Sequence, residues 1–335
     1  VNDRIHRSTA GTSDAQTTGA LALFTLERDA RMAGFGIVNS NSMGCSPIQY
    51  YFKSGGGNCG VECYSQPVNA ASVFPALSFA PIVIEDGAGN TPDALTFTYA
   101  NPSQRIIPGV LDETMPSPSA ELKLDDVTGF AENDMVIVHT PGTNSCALMQ
   151  VTQVQGASSQ KLQHNSGNSA PWNPVGGGSL FPAYQKGALV YNMGRPIVRR
   201  YDVNSNNLRL TEYFTYVTPT SIPGFSADPF ILYEQIVDLQ AQYGKDTNGD
   251  GVVETWDNVT PANAAGWTQV LSVRIGLLVR SKDEEREVEG ACEATTVQPT
   301  WAGGDLTVPG GIPSCFKYRV FETTVPLRNM IWRET

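Results

Sequence analysis

Residues 246–257, DTNGDGVVETWD, place oxygen-bearing side chains at the first, third, fifth, ninth and twelfth positions and glycine at the sixth. That is the ligand spacing of a calcium loop. Asp246, Asn248 and Asp250 would offer side-chain oxygens and Val252 its main-chain carbonyl. Glu254 would coordinate directly or through water, Asp257 would close the shell, and Gly251 would permit the sharp turn. The chemistry is coherent, because a hard cation takes six to eight oxygens. Two features separate the segment from a calcium sensor: the twelfth residue is Asp rather than Glu, and the entering segment looks more like a strand than a helix. Outside the cytosol a millimolar affinity is enough to fill such a loop. An occupied structural clip and an Asx-rich turn without an ion both stand at this point.

Other chemistry is harder to find. The sequence has no Gly-x-Ser-x-Gly elbow, no His-Glu-x-x-His pair and no phosphate loop. A glycosidase needs two facing carboxylates, and no pair among the 33 acidic residues is singled out by its context. The run KDEEREVE at 282–289 reads as a solvated loop. Trp172, Trp256, Trp267, Trp301 and Trp332 could stack on sugars, although packing is the simpler role. The expectation is a protein that is not an enzyme.

Composition narrows the class. The chain has 335 residues, 32 of them Gly and 22 Pro, with 41% apolar and only 16% charged. Such a profile fits a turn-rich, secreted β protein. A net charge of −11 removes the general attraction to a phosphate backbone, so no nucleic acid is expected. The six cysteines, Cys45, Cys59, Cys63, Cys146, Cys292 and Cys315, fit an oxidising compartment. They allow fifteen pairings. Cys292 with Cys315 is the natural guess, since it would tie a Gly/Pro-rich loop between two strand-like runs, and Cys59 with Cys63 is a second candidate. Zinc at Cys59 and Cys63 would need two more ligands, and His6, His139 and His164 are distant in sequence. No stretch is apolar enough to span a bilayer, and no signal peptide opens the chain. A disulfide-type chain without an export signal implies that its natural N-terminus has been removed.

The elements that must position these residues begin with a helix over 3–33. Leu23, Leu26, Ala30 and Ala33 recur at helical spacing, and Arg28, Asp29 and Arg31 are expected to point elsewhere. Glu27 and Arg31 make an i,i+4 pair, and Gly34 supplies a left-handed cap. Residues 41–75 read as a long tethered loop. SFAPIVIED and DALTFTYA read as strands, with Leu95, Phe97 and Tyr99 on one face. ELKLDD, DMVIVHT and CALMQVTQVQ belong to an all-β lobe inserted at 105–190. IVRRYDV and LRLTEYF make a hairpin across SNN. EQIVDLQAQYG at 234–244 fits a strand or a helix by periodicity. Leu271, Val273, Ile275, Leu277 and Val279 form one face of a further strand, and KYRVFETTVPLRN closes the sheet.

Together these segments resemble a family. LERDARMAGFG resembles the end of the long N-terminal helix in PilW-type minor pilins of type IV pili. DLQAQYGKDTNGDGVVETW is similar to their strand, acidic loop and aromatic, and VLSVRIGLLVRS and YRVFETTVPLRN to their closing strands. The resemblance covers roughly 18–40 and 230–335 and is thin between; J-type pseudopilins of type II secretion are less close. It implies an α+β, pilin-like fold, with an N-terminal helix packed on antiparallel sheet and a large inserted all-β lobe. The divisions would be the helix at 1–34, a Cys-rich loop and first strands at 35–104, the lobe at 105–190, and the main sheet at 191–335. It also favours a strand at 234–244 and makes any calcium a structural clip. The implied role is a minor pilin in the tip complex that primes pilus assembly. Its partners would be other minor pilins and a large adhesin-like tip protein. It would be held in the bacterial inner membrane by an apolar helix absent from this chain, mature in the periplasm and end at the extracellular pilus tip. A J-type pseudopilin is one alternative. A tip module whose lobe binds a surface ligand is another.

Overall fold

The computed structural model describes residues 2–37, 43–53, 63–66, 76–89, 91–102, 105–143, 145–156, 158–167, 169–174, 181–218 and 221–331, with backbone only for 2–12, 63–66 and 331. Its first element, helix α1 (Asn2–Met32), turns Ala22, Leu26, Ala30 and Ala33 fully inward. Gly34 ends it at φ 79°, and its N–H donates to the Thr98 carbonyl at 2.9 Å. Gly19 serves close approach, because a Cβ there would lie 2.2 Å from the Phe321 ring. A helix-interior glycine costs about 1 kcal/mol relative to alanine, and this contact gives the reason for it. Arg28 and Arg31 are exposed, but Asp29 is completely buried, against the expectation that it points away. Spacing explains the difference: Asp29 follows Leu26 by three residues and precedes Ala33 by four, so it shares their face.

Two antiparallel sheets meet the helix. Strands β1 (Ile82–Glu85), β2 (Ala94–Tyr99), β3 (Ile197–Asn204), β4 (Asn207–Glu212) and β5 (Phe230–Glu234) lie in the order β5-β4-β3-β2-β1. Strands β6 (Ile236–Lys245), β7 (Thr255–Asp257), β8 (Val270–Arg280) and β9 (Tyr318–Pro326) lie in the order β7-β6-β8-β9. The turn from β3 to β4 has Ser205 at φ 51° and Asn206 at φ 61°, the two left-handed positions of a tight hairpin. At 234–244 alternation prevails over helical spacing, since β6 pairs along its length with β8. An irregularity at Gly244 and Lys245 then brings Val270 into the core and leaves Leu271 half-buried. Helix α1 packs against β8 and β9, and one core unites it with both sheets.

Between β2 and β3 the chain builds further sheets. Gly109–Val110, Leu189–Gly194, Met135–His139 and Cys146–Gln150 form one of four strands; Leu122–Lys123, Lys161–Gln163 and Gln153–Gln155 form one of three. Leu111, Leu122, Val136, Val138, Met149 and Val190 make their own cluster, which Tyr51 joins from outside. The loop expected at 41–75 contains a paired element, Tyr50–Lys53 against Cys63–Gln66, and the burial of Tyr50, Tyr51 and Phe52 accounts for it. Cys45 is bonded to Cys146 and Cys292 to Cys315. Cys59, Trp332 and the side chains of His6 and Cys63 lie outside the described residues. Trp172 and Trp267 are buried, while Trp256 and Trp301 hold Arg274 between them at 4.7 and 5.6 Å. No helix is long and apolar enough, among the described residues, to cross a membrane.

Candidate functional site

The acidic loop leaves the end of β6 and returns through β7, which pairs back onto β6. Its root is fixed from both sides: the Asp246 N–H donates to the Gln269 carbonyl at 2.8 Å, and the Glu254 N–H to that of Lys245 at 3.0 Å. Within it, Gly249 and Gly251 stand at φ 84° and 86°, so only glycine fits without strain. Their N–H groups donate to the two oxygens of Asp246. Desolvation pushes the Asp246 carboxyl up, but N–H groups of Gly251, Gly249, Asn248 and Asp250 outweigh it and hold the acid below its ordinary value. Asn248 accepts from the Asp250 N–H, Asp250 from the Val252 N–H, and Glu254 from the Thr247 N–H.

Of the six residues named for coordination, Asp246, Asp250 and Glu254 converge, with one carboxylate oxygen from each within 4.8 Å of the others. Asn248 lies beside them, its amide donating to Asp250 at 3.2 Å. Val252 is exposed in the same loop. Asp257 stands apart, since its carboxylate takes the Lys245 ammonium at 2.6 Å and the Val259 N–H at 2.9 Å. The donor set is all oxygen with three like charges, which suits a hard divalent cation and not zinc or iron. Remaining positions would fall to main-chain carbonyls and water.

A second polar centre has no counterpart in the sequence reading. Buried Asp29 accepts from the Tyr201 hydroxyl at 2.6 Å, the Tyr99 hydroxyl at 3.3 Å and the Arg199 guanidinium at 3.2 Å. Arg199 also pairs with Glu212 at 2.8 Å. Burial, then the Asp29 charge, pushes the Tyr99 phenol up to about 12. The network pins α1 to β2, β3 and β4, and these long-range partners are invisible to local spacing. Asp93 does similar work between sheets, accepting from the Gly87 and Ala241 N–H groups at 2.9 and 2.8 Å. Desolvation raises its carboxyl to about 6 despite those two bonds.

The segment carrying the acidic loop, Arg199 and Tyr201 decides the relationship. Residues 198–329 match the PilW family, type IV pilus-assembly protein W. The PilW match covers less than half of the chain and contains the Cys292–Cys315 bond. It leaves out α1 with Asp29 and the sheets at 105–190. No curated protein matches the chain in sequence. In structure it is similar to a type IV-like pilin from Thermus thermophilus, at 15% identity over 59% of this chain and 86% of that one, with a TM-score of 0.25.

Proposed function

We propose that the chain is part of a minor pilin, a structural subunit of a type IV pilus rather than an enzyme. The PilW match through β3–β9 carries the reading. Helix α1 supports it physically: one face is buried in this chain's own sheets, while Leu21, Phe24 and Met32 stay exposed on the other, Phe24 by 64%. An apolar face of that kind suits lateral contact with helices of other pilins, and the acidic β part would dock beside theirs. The finer reading places the subunit in a tip complex that primes assembly, with other minor pilins and a large adhesin-like protein, reached from the inner membrane and periplasm. Residues 105–190 would be an insertion displayed on that subunit.

Deleting the gene in its source cell tests this. The proposal expects loss of surface pili, restored by the wild-type gene and not by a Leu21→Asp, Phe24→Asp variant whose folding is intact. Undiminished pili in the deletion would overturn it.

Calcium is the second element of the proposal. Asp246, Asp250 and Glu254 would hold it, with Asn248 and the Val252 carbonyl alongside. The ion would supply charge neutralisation, fixing the β6–β7 connection in one shape. Asp257 would contribute through its ion pair with Lys245, which anchors the exit of the loop.

A further inference from the structure

A pocket of about 420 Å³ opens where the chain leaves the five-stranded sheet for residues 105–190 and comes back. The two passing segments are pressed together. Asn101 bridges to Gly194, and its N–H donates to the Met193 carbonyl at 3.0 Å. Gly194 stands at φ 54°, and a Cβ there would lie 2.5 Å from the Asn101 carbonyl oxygen. The walls include Asn101, Arg195, Arg199, Glu212, Phe214 and Tyr216, and Thr215 is exposed at the mouth.

The two arginines are not equivalent. Arg199 is held by Asp29 behind the wall and by Glu212 within it. Arg195 is half-buried, and among the described residues no acceptor takes a hydrogen bond from its guanidinium. A guanidinium carries five donors in a planar fork, and on the wall of this pocket they are open to an entering ligand. We propose that this pocket binds a small carboxylate, with Arg195 as its counter-ion.

Charge and shape both favour that class. Arg199 is already answered by Glu212 and by Asp29 behind the wall, and buried Asp134 acts on Arg195 from outside the lining, so Arg195 is the cation left to meet a monoanion, while Glu212 works against a dianionic phosphate. A carboxylate matches the guanidinium fork in two parallel bonds. The volume is in the usual range for small-ligand sites. Phe214 and the Tyr216 ring, whose hydroxyl donates to the Pro196 carbonyl at 2.9 Å, give an aromatic wall, and Asn101 and Thr215 offer bonds to hydroxyl groups. A hexuronate has all these features; an acidic side chain of a docked protein has the carboxylate alone. This inference does not depend on the pilus reading.

Titration of the whole chain with galacturonate, galactose and acetate, followed by amide NMR shifts, tests it. Saturable shifts at the pocket with galacturonate, none with galactose, and at least about a tenfold loss of affinity in Arg195→Ala are expected. That variant should melt like the wild type, because the side chain has no bonds to lose. Glu212→Gln should tighten binding by removing the like charge. Acetate binding as well as galacturonate keeps the carboxylate site and makes the acidic side chain its source. Equal binding of galactose, unchanged binding in Arg195→Ala, or no saturable shift by ~10 mM galacturonate would overturn the proposal.

Discussion

The acidic loop and the Asp29 network solve one problem, how to supply a carboxylate with donors, in opposite ways. Asp246 takes its N–H donors from residues three and five positions on, in a loop open to water. Asp29 has no solvent, and beyond a 3.4 Å contact from neighbouring Arg28 its partners are 70, 170 and 172 residues away. The first arrangement forms wherever the local sequence forms, so it can exist before the fold is complete. The second exists only when helix and sheet have met, and it then reports that they have met correctly. Asp246, gathered in the open loop beside exposed Asp250 and Glu254, is therefore a candidate for a ligand, whereas Asp29 is already satisfied by protein.

Asp29→Ala should break the comparison most sharply. It leaves Arg199 with Glu212 alone and two tyrosine hydroxyls without their acceptor. Removing one partner of a buried ion pair costs about 3–5 kcal/mol. Urea unfolding should show the midpoint fall at an unchanged slope. A loss under ~1 kcal/mol would mean that the network contributes no more than a surface pair.

Asp93 gives the next effect, through pH. Its folded carboxyl is raised to about 6 by desolvation, above the ordinary 3.8. Between those values the folded state binds more protons than the unfolded one, so this group's contribution falls as pH rises through about 4 to 6. Asp134 and Asp238 are raised by desolvation too, while burial holds His139 and His164 below their ordinary value and acts in the opposite sense. Comparison with Asp93→Asn isolates the single group. Wild type should gain about 2 kcal/mol on the variant between pH 7 and pH 4, after allowance for solvent screening. A pH-independent difference would place the Asp93 proton elsewhere.

Legibility in the sequence follows the same division. The acidic loop, the β3–β4 hairpin, the Gly34 cap and the alternation in β8 rest on residues within a few positions of one another, and each could be read. Periodicity alone left β6 open, because Ile236, Leu239 and Tyr243 fit a helix until β8 provides the partner. The charge of Asp29 points it away from the core, yet its spacing puts it on the buried face. The paired strand at Tyr50–Lys53 was hidden by the Gly, Ser and Asn around it. Nothing local marks Arg195 as a guanidinium that no acceptor among the described residues meets.

Calcium sharpens the contrast at a smaller scale. Millimolar calcium should raise the melting temperature, by about 1.4 kcal/mol of stability at ten times the dissociation constant, and Asp250→Ala should abolish the rise. Asp29→Ala should lower stability without changing that increment, since the two sites share no partner. No heat and no melting shift at millimolar calcium would make the segment an Asx turn held by its own N–H groups.

The smallest effect belongs to a charge pair on the same helix as Asp29. Glu27 and Arg31 are an exposed i,i+4 pair, two residues to either side of the buried acid. Water already solvates both groups, so little is lost when the bond is removed. Glu27→Gln should cost about 0.3–0.5 kcal/mol, and added salt should erase most of the difference. Salt should leave the Asp29→Ala deficit almost unchanged, because that pair is shielded from ions. Equal salt sensitivity of the two variants would show that solvent reaches Asp29, and that the helix meets the sheet less closely than its buried hydroxyl bonds require.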